Sequence, residues 1–240
     1  MRCPDWRITE IAVKREINRR MARLIFAGLF LFSGCQNSES ETETSIIINP
    51  SPGGGGGNYN WISPEMIKFP DEVKSGELPT TDLLELKFTN LENQTVALKS
   101  LLQPGRKLIL VVMRGFSGEV CKFCTTQTSR LISNYSKFTD RETEIAIVYP
   151  VSSASDSSRL QELQTAAAAQ LQVPNLQIPM PMLLDVNLEV VKQLGIQKNL
   201  AKPSTYIFDS EGKVRFAYVG SHLADRPSVQ ALLDEIDKLQ

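Results

Sequence analysis

Apolar and polar residues alternate in a way that predicts a sheet covered by helices over most of the chain. Two nearly continuous apolar runs, 107–113 and 144–149, predict strands that are buried on both faces of the sheet. The other predicted strands are shorter: 83–89, 95–98, 182–184 and a hairpin formed by 205–208 and 214–219.

Between these strands, apolar residues recur every three or four positions, which is typical of amphipathic helices. The order of strands and helices predicts an α/β domain, a mixed sheet flanked by helices on both faces with parallel strands at its centre. The predicted helices cover 121–138, about 160–171, 188–194 before Gly195, and a last segment that starts at Asp225 and Pro227.

The first 34 residues have the pattern of an export signal. Seven basic residues precede an uncharged apolar run at 24–32, which is followed by Ser33, Gly34 and Cys35. Nine apolar residues are too few to span a bilayer core of about 30 Å as a helix. The arrangement resembles the lipobox of bacterial lipoproteins, which implies lipidation of Cys35 and a place on the periplasmic side of a bacterial membrane. The alternative is an ordinary secretory signal with a free Cys35.

Residues 35–62 predict a flexible tether, and 63–240 predict the folded domain. The tether is rich in Ser, Glu, Thr and Asn and has five glycines at 53–57, so it cannot bury enough apolar area to fold. The whole chain carries a formal net charge of −1, which argues against nucleic acid as a partner because nucleic-acid binding requires a basic face.

Cys121 and Cys124 are the residues with the clearest chemistry. They follow a buried strand and a short loop, three residues apart at the start of a predicted helix, so their sulfurs can approach to bonding distance. The helix N-terminus and Lys122 would lower the pKa of the Cys121 thiol, which makes Cys121 the predicted nucleophile and Cys124 the resolving thiol.

Three other roles for the pair remain open: half of a zinc site, a structural disulfide, or inert buried thiols. Zinc needs four ligands, whereas the chain has no second cysteine pair and a single histidine, His222. A disulfide closing so short a loop would remove little chain entropy. The pattern therefore favours redox chemistry and implies no metal and no organic cofactor.

Several segments of the domain resemble the thioredoxin-fold redoxins of the alkyl hydroperoxide reductase and thiol-specific antioxidant family. The segments are LKFTNLENQTVALKSLL, KLILVVMRGF, RGFSGEVCKFC, KPSTYIFDSEGKVRFAYVG and HLADRPS. The resemblance implies a thioredoxin-like fold with the active thiol at Cys121. It also implies that Pro203, which leads a strand facing the thiols, forms a cis peptide bond and offers backbone groups to an extended substrate, although an X–Pro bond is ordinarily trans.

The sequence departs from the family's Pro-x-x-x-Thr-x-x-Cys pattern. Aligned on Cys121, it has Arg114 at the proline position and Gly118 at the threonine position. Arg114 ends a buried strand near Cys121, where it could bind an anion or favour a thiolate. The alternative is a solvated arginine at the end of the strand.

We therefore expect a thiol–disulfide oxidoreductase that acts on a disulfide- or thiol-containing protein partner and is attached to a membrane through its lipid anchor. One alternative is a thiol peroxidase, with peroxide as substrate and Cys121 as the peroxidatic thiol. The other is a non-catalytic binding module on a redoxin fold.

Overall fold

The computed structural model describes residues 62–173 and 176–239, which form nine strands and five α-helices. The strands are β1 (Lys87–Thr89), β2 (Thr95–Ala97), β3 (Lys107–Val112), β4 (Thr143–Val151), β5 (Met182–Val186), β6 (Gln197–Lys198), β7 (Leu200–Ala201), β8 (Ser204–Phe208) and β9 (Val214–Val219). The helices are α1 (Lys122–Ser133), α2 (Tyr135–Thr139), α3 (Arg159–Gln170), α4 (Glu189–Gln193) and α5 (Val229–Asp237).

Seven strands form one mixed sheet in the order β2-β1-β5-β4-β3-β8-β9. The three central strands β5, β4 and β3 run parallel, whereas β8 pairs antiparallel with both β3 and β9. The predicted buried strand at 144–149 is the middle strand β4, and the one at 107–113 is its neighbour β3. Nearly every residue of β3 and β4 is buried, because helices cover both faces of a central parallel strand.

Alternate residues of the central strands enter two separate layers of core. Leu108, Leu110 and Val148 belong to a cluster that includes Val190 and Val191 of α4. Their neighbours along the strands point the other way and are equally buried, on the side where α1, α3 and α5 contribute apolar residues. The prediction of a mixed sheet with helices on both faces is thus confirmed.

The predicted helix over 121–138 is two helices, separated at Asn134. The Asn134 backbone leaves the helical region, at φ −111° and ψ 12°. Its side-chain amide donates to the Arg130 carbonyl at 2.9 Å, and asparagine commonly competes with the helix backbone in this way.

The last helix begins later than predicted. Ser228 caps α5 by accepting a hydrogen bond from the Ala231 N–H at 3.1 Å, whereas the Asp225 carboxylate accepts from the Ser221 N–H at 2.7 Å and from the Tyr218 hydroxyl. The short β6–β7 hairpin was not predicted, because two-residue strands carry no periodicity.

The predicted signal and all of the predicted tether except Ile62 lie outside the described residues. Ile62 is buried, and its carbonyl accepts a hydrogen bond from Lys122 Nζ at 3.1 Å. Within 62–173 and 176–239, no helix has the length and apolarity needed to cross a membrane.

Candidate active site

The two cysteines lie where the chain leaves β3, crosses a loop and enters α1. Cys121 is the N-cap residue of α1, and Cys124 is in the first turn. Both thiols are free rather than joined in a disulfide. Cys121 is 8% exposed and Cys124 is fully buried, so an external reactant meets the Cys121 sulfur first.

The Cys121 and Cys124 side chains are hydrogen-bonded to each other. This hydrogen bond, followed by burial, raises the pKa of Cys121 well above its ordinary value. Burial also opposes ionisation of Cys124, but the S–H of Cys121, the Arg226 guanidinium and the Arg114 backbone together hold the pKa of Cys124 well below its ordinary value. The two thiols therefore titrate as a coupled pair, and the surroundings favour loss of the first proton on the Cys124 side, beside Arg226.

The direction of these pKa shifts differs from the Cys121 thiolate that the sequence predicts. The prediction placed the thiolate on Cys121 because an N-cap residue faces the positive end of the helix. In the structure the Cys121 side chain makes no capping hydrogen bond to the helix backbone. The charged donor, Arg226, lies beside Cys124 instead.

Arg226 completes the site from the loop before α5. Its guanidinium is 1% exposed and lies against α1. Nη2 donates to the Cys124 sulfur at 3.4 Å, and Nη1 donates to Gln127 Oε1 at 2.7 Å and to Met113 Sδ at 3.3 Å. Nε donates to the Leu223 carbonyl at 2.8 Å. Sequence reasoning missed Arg226, because it is 102 residues from Cys124 along the chain.

Arg114 contributes its backbone to the site and directs its side chain elsewhere. The backbone hydrogen bond to Cys124 favours the thiolate, and the Arg114 carbonyl accepts from the Ala201 N–H at 3.1 Å. The guanidinium donates to the Ser117 hydroxyl at 2.6 Å, within the loop that leads to Cys121.

Pro203 lies at the same end of the sheet as the cysteines. Ser204 pairs with Val112, which places Pro203 level with the end of β3. The Lys202–Pro203 peptide bond is trans, since the described residues include no cis peptide, so the cis bond implied by the resemblance is wrong. The Pro203 carbonyl accepts from the Gly220 N–H at 2.8 Å.

Tyr149 is a further residue that sequence reasoning did not connect with the cysteines. Its side chain is fully buried, and its hydroxyl has no hydrogen-bond partner in the described structure. Burial, followed by the negative charge of the cysteine pair, raises its pKa, so the hydroxyl stays protonated. By contrast, Glu119 and His222 are exposed and do not belong to the site.

Comparison with known protein families identifies this architecture. The AhpC/TSA family model matches residues 79–217, which is more than half of the 240 residues. The chain belongs to the AhpC/TSA family. The match includes both cysteines and Pro203 but ends before Arg226, so the family model does not cover the charged partner of Cys124.

Solved structures of low sequence identity share the fold of this AhpC/TSA protein. A cysteine-to-serine mutant of peroxiredoxin 6 from Arenicola marina matches with a TM-score of 0.55 at 16% identity, over 70% of this chain and 74% of that one. Reduced Prx3 of Vibrio vulnificus, in complex with hydrogen peroxide, matches with a TM-score of 0.51 at 16% identity, over 69% and 99%. Peroxidoxin BcpB from Mycobacterium tuberculosis matches with a TM-score of 0.50 at 15% identity, over 70% and 99%.

These similarities establish a thioredoxin-like fold, and membership of a redoxin family indicates oxidoreductase activity for this AhpC/TSA protein. The search of curated protein sequences gave no match. The type of reaction must therefore be argued from the site itself.

Proposed function

We propose that this AhpC/TSA protein is a thiol–disulfide oxidoreductase that exchanges electrons with a protein partner through Cys121 and Cys124. The observation that carries the proposal is the hydrogen-bonded pair of free thiols on one helical turn, in which Cys121 is less completely buried than Cys124. The partner would form a mixed disulfide with Cys121, and Cys124 is placed to form or accept the second bond of the exchange.

Arg114 and Pro203 are proposed to shape the surface through which the partner chain reaches the Cys121 sulfur. Arg114 begins the loop that leads to Cys121, and Pro203 lies level with the end of β3 in the neighbouring strand. Both therefore border the end of the sheet from which a partner would reach Cys121. The Pro203 carbonyl already accepts a hydrogen bond from Gly220 and the residue is buried, so Pro203 would support the surface beside Cys121 rather than pair with a substrate strand.

Peroxide reduction is the second candidate, and family membership favours it. Peroxide would have to react at Cys121, yet the guanidinium in this site contacts Cys124 and the Cys121 thiol is the protonated one. A thiol attacks a peroxide or a disulfide as its thiolate, so the raised pKa of Cys121 disfavours both attacks. Disulfide exchange can also proceed with Cys121 as the sulfur under attack, in the oxidised pair, and that route needs no Cys121 thiolate.

The reaction type can be tested with the reduced full-length protein in two parallel reactions, one with oxidised glutathione and one with hydrogen peroxide. We expect glutathione disulfide to convert the pair into a Cys121–Cys124 disulfide, identified by peptide mass spectrometry. We expect peroxide to oxidise the pair no faster than it oxidises N-acetylcysteine. Peroxide oxidation far faster than this control would establish the peroxidase instead. If neither oxidant, in large excess, oxidises the cysteines, both functions are refuted.

We also propose that the domain acts outside the cytoplasm, on the periplasmic side of a bacterial membrane, attached through lipidated Cys35. The support is the basic, apolar and small-residue pattern before Cys35. The first described residue, Ile62, contacts Lys122, the residue after Cys121. A tether that ends at Ile62 would therefore join the domain close to Cys121.

The anchor predicts the mass of the mature N-terminus. Expressed in a bacterium, the protein should be recovered with the membrane fraction and should carry a lipid on an N-terminal Cys35, and Cys35→Ser should release it from the membrane. A soluble protein with an unmodified Cys35 would contradict the anchor without affecting the proposed chemistry.

A further inference from the structure

Arg226 is a buried cation, and no carboxylate of residues 62–173 or 176–239 pairs with it. Within the part of the chain that the structure describes, its hydrogen-bond acceptors are a backbone carbonyl, an amide oxygen, a thioether and the Cys124 sulfur. Arginine keeps its positive charge in proteins, and a buried charge is costly unless it is paired. Among these acceptors, the Cys124 sulfur is the one that can become an anion.

The charge of Arg226 has a different free energy in the two redox states of the cysteine pair. In the reduced state, a Cys124 thiolate at 3.4 Å from Nη2 is its counter-ion. In the disulfide state both sulfurs are neutral, and the guanidinium remains buried without a counter-charge. Arg226 therefore stabilises the reduced pair relative to the disulfide, and a couple whose reduced form is stabilised is a stronger oxidant.

We propose that Arg226 makes the Cys121–Cys124 disulfide an oxidant of protein dithiols, so that electrons flow from the partner to this protein. The inference rests on the proposed thiol–disulfide function and assigns its direction. The substrate is thereby a reduced cysteine pair in another protein.

The exchange balances in two steps. A thiolate of the partner attacks the Cys121 sulfur, which is the accessible one, and the Cys121–Cys124 bond breaks with Cys124 leaving as a thiolate beside Arg226. The partner's second thiolate then attacks the partner sulfur of the mixed disulfide and displaces Cys121. The partner loses two electrons and two protons, Cys121 takes one proton, and the other proton enters solvent.

This proton count gives a measurable signature in the unmodified protein. Each proton taken up on reduction changes the equilibrium constant tenfold per pH unit, which is about 30 mV for a two-electron couple. Titration of the full-length protein against glutathione buffers around neutral pH should therefore show a potential that falls by about 30 mV per pH unit. A slope of about 60 mV would mean that both sulfurs are protonated, and would overturn the inference.

Substitution of Arg226 should remove the signature. For Arg226→Met we expect the equilibrium with glutathione to shift tenfold or more toward the disulfide, a potential lower by about 30 mV or more, and a steeper pH slope. Arg226→Lys should retain most of the wild-type behaviour because it keeps a positive charge. A matched control is Arg130→Met on the same helix, because Arg130 contacts Phe69 and the Pro64 and Ile67 carbonyls rather than the cysteines.

The outcomes distinguish a failure of the proposed function from a failure of the proposed role of Arg226. If no Cys121–Cys124 disulfide forms, the proposed function fails and the direction fails with it. If the disulfide forms but the wild-type slope is about 60 mV per pH unit, the function stands and the role of Arg226 is refuted. An unchanged potential in a folded Arg226→Met variant would refute it too, and if that variant does not fold, the wild-type slope decides.

Discussion

Cys121→Ser is expected to reduce disulfide exchange by at least about a thousandfold, because the variant loses the sulfur that forms the bond to the partner. Cys121 is the accessible member of the pair, and Cys124 behind it is fully buried. The remaining thiolate, although ionised, would have no route to a protein disulfide. The measurement is the rate of exchange between the full-length protein and a dithiol or disulfide peptide. A variant that kept more than a tenth of the wild-type rate would show that partners reach Cys124 directly.

The companion substitution, Cys124→Ser, should give a different kind of failure. It leaves Cys121 able to form a mixed disulfide with glutathione but removes the sulfur that resolves it, so the adduct should accumulate on Cys121. Thr125→Ser is the matched control, because it preserves the hydroxyl that donates to the Cys121 carbonyl in the same helical turn. The control should exchange at the wild-type rate.

The sequence predicts best those elements whose residue pattern has a single physical cause, such as burial on both faces of the sheet. Strands β3 and β4 are buried on both faces, so their apolar runs are visible without knowledge of any partner. The break at Asn134 was missed because both halves continue the same apolar stripe, and only a hydrogen bond to Arg130 reveals that the helix stops. The start of α5 at Ser228 was missed because Asp225 is used by Tyr218 and Ser221 instead.

The candidate site likewise has one part that local sequence predicts and one part that depends on tertiary contacts. The two cysteines are close in sequence, and their spacing alone predicts the pair. The charge that favours one sulfur over the other comes from Arg226. Its position in a loop gives no reason to expect it in the core, since arginine is almost never fully buried unless it is paired. The order β3-β8-β9, followed by α5, brings that loop back against α1. The electrostatics of the pair thus depend on tertiary contacts that local patterns do not contain.

The loop between β3 and α1 is fixed to the sheet at Gly115. Gly115 has φ +96°, a region that residues with a Cβ rarely adopt, and a Cβ built there would lie 2.2 Å from the Pro150 carbonyl oxygen of β4. The next residue, Phe116, donates its N–H to the same oxygen at 3.2 Å. The preceding residue, Arg114, supplies the backbone hydrogen bond that favours the Cys124 thiolate. Close approach at Gly115 therefore sets the position of a backbone group that the chemistry uses.

Gly115→Ala should destabilise the protein by about 3 kcal/mol or more, because a contact with strand backbone can be relieved only by moving the loop. Gly118→Ala is the matched control: Gly118 has nearly the same φ, +95°, but a Cβ there meets no atom within 4 Å. Backbone strain alone should cost the control about 1 kcal/mol. Denaturant unfolding with a common m-value measures both losses. Since the shifted loop carries Arg114, Gly115→Ala should also slow disulfide exchange, whereas Gly118→Ala should not. Equal losses of stability would mean that the approach to Pro150 does not fix the loop.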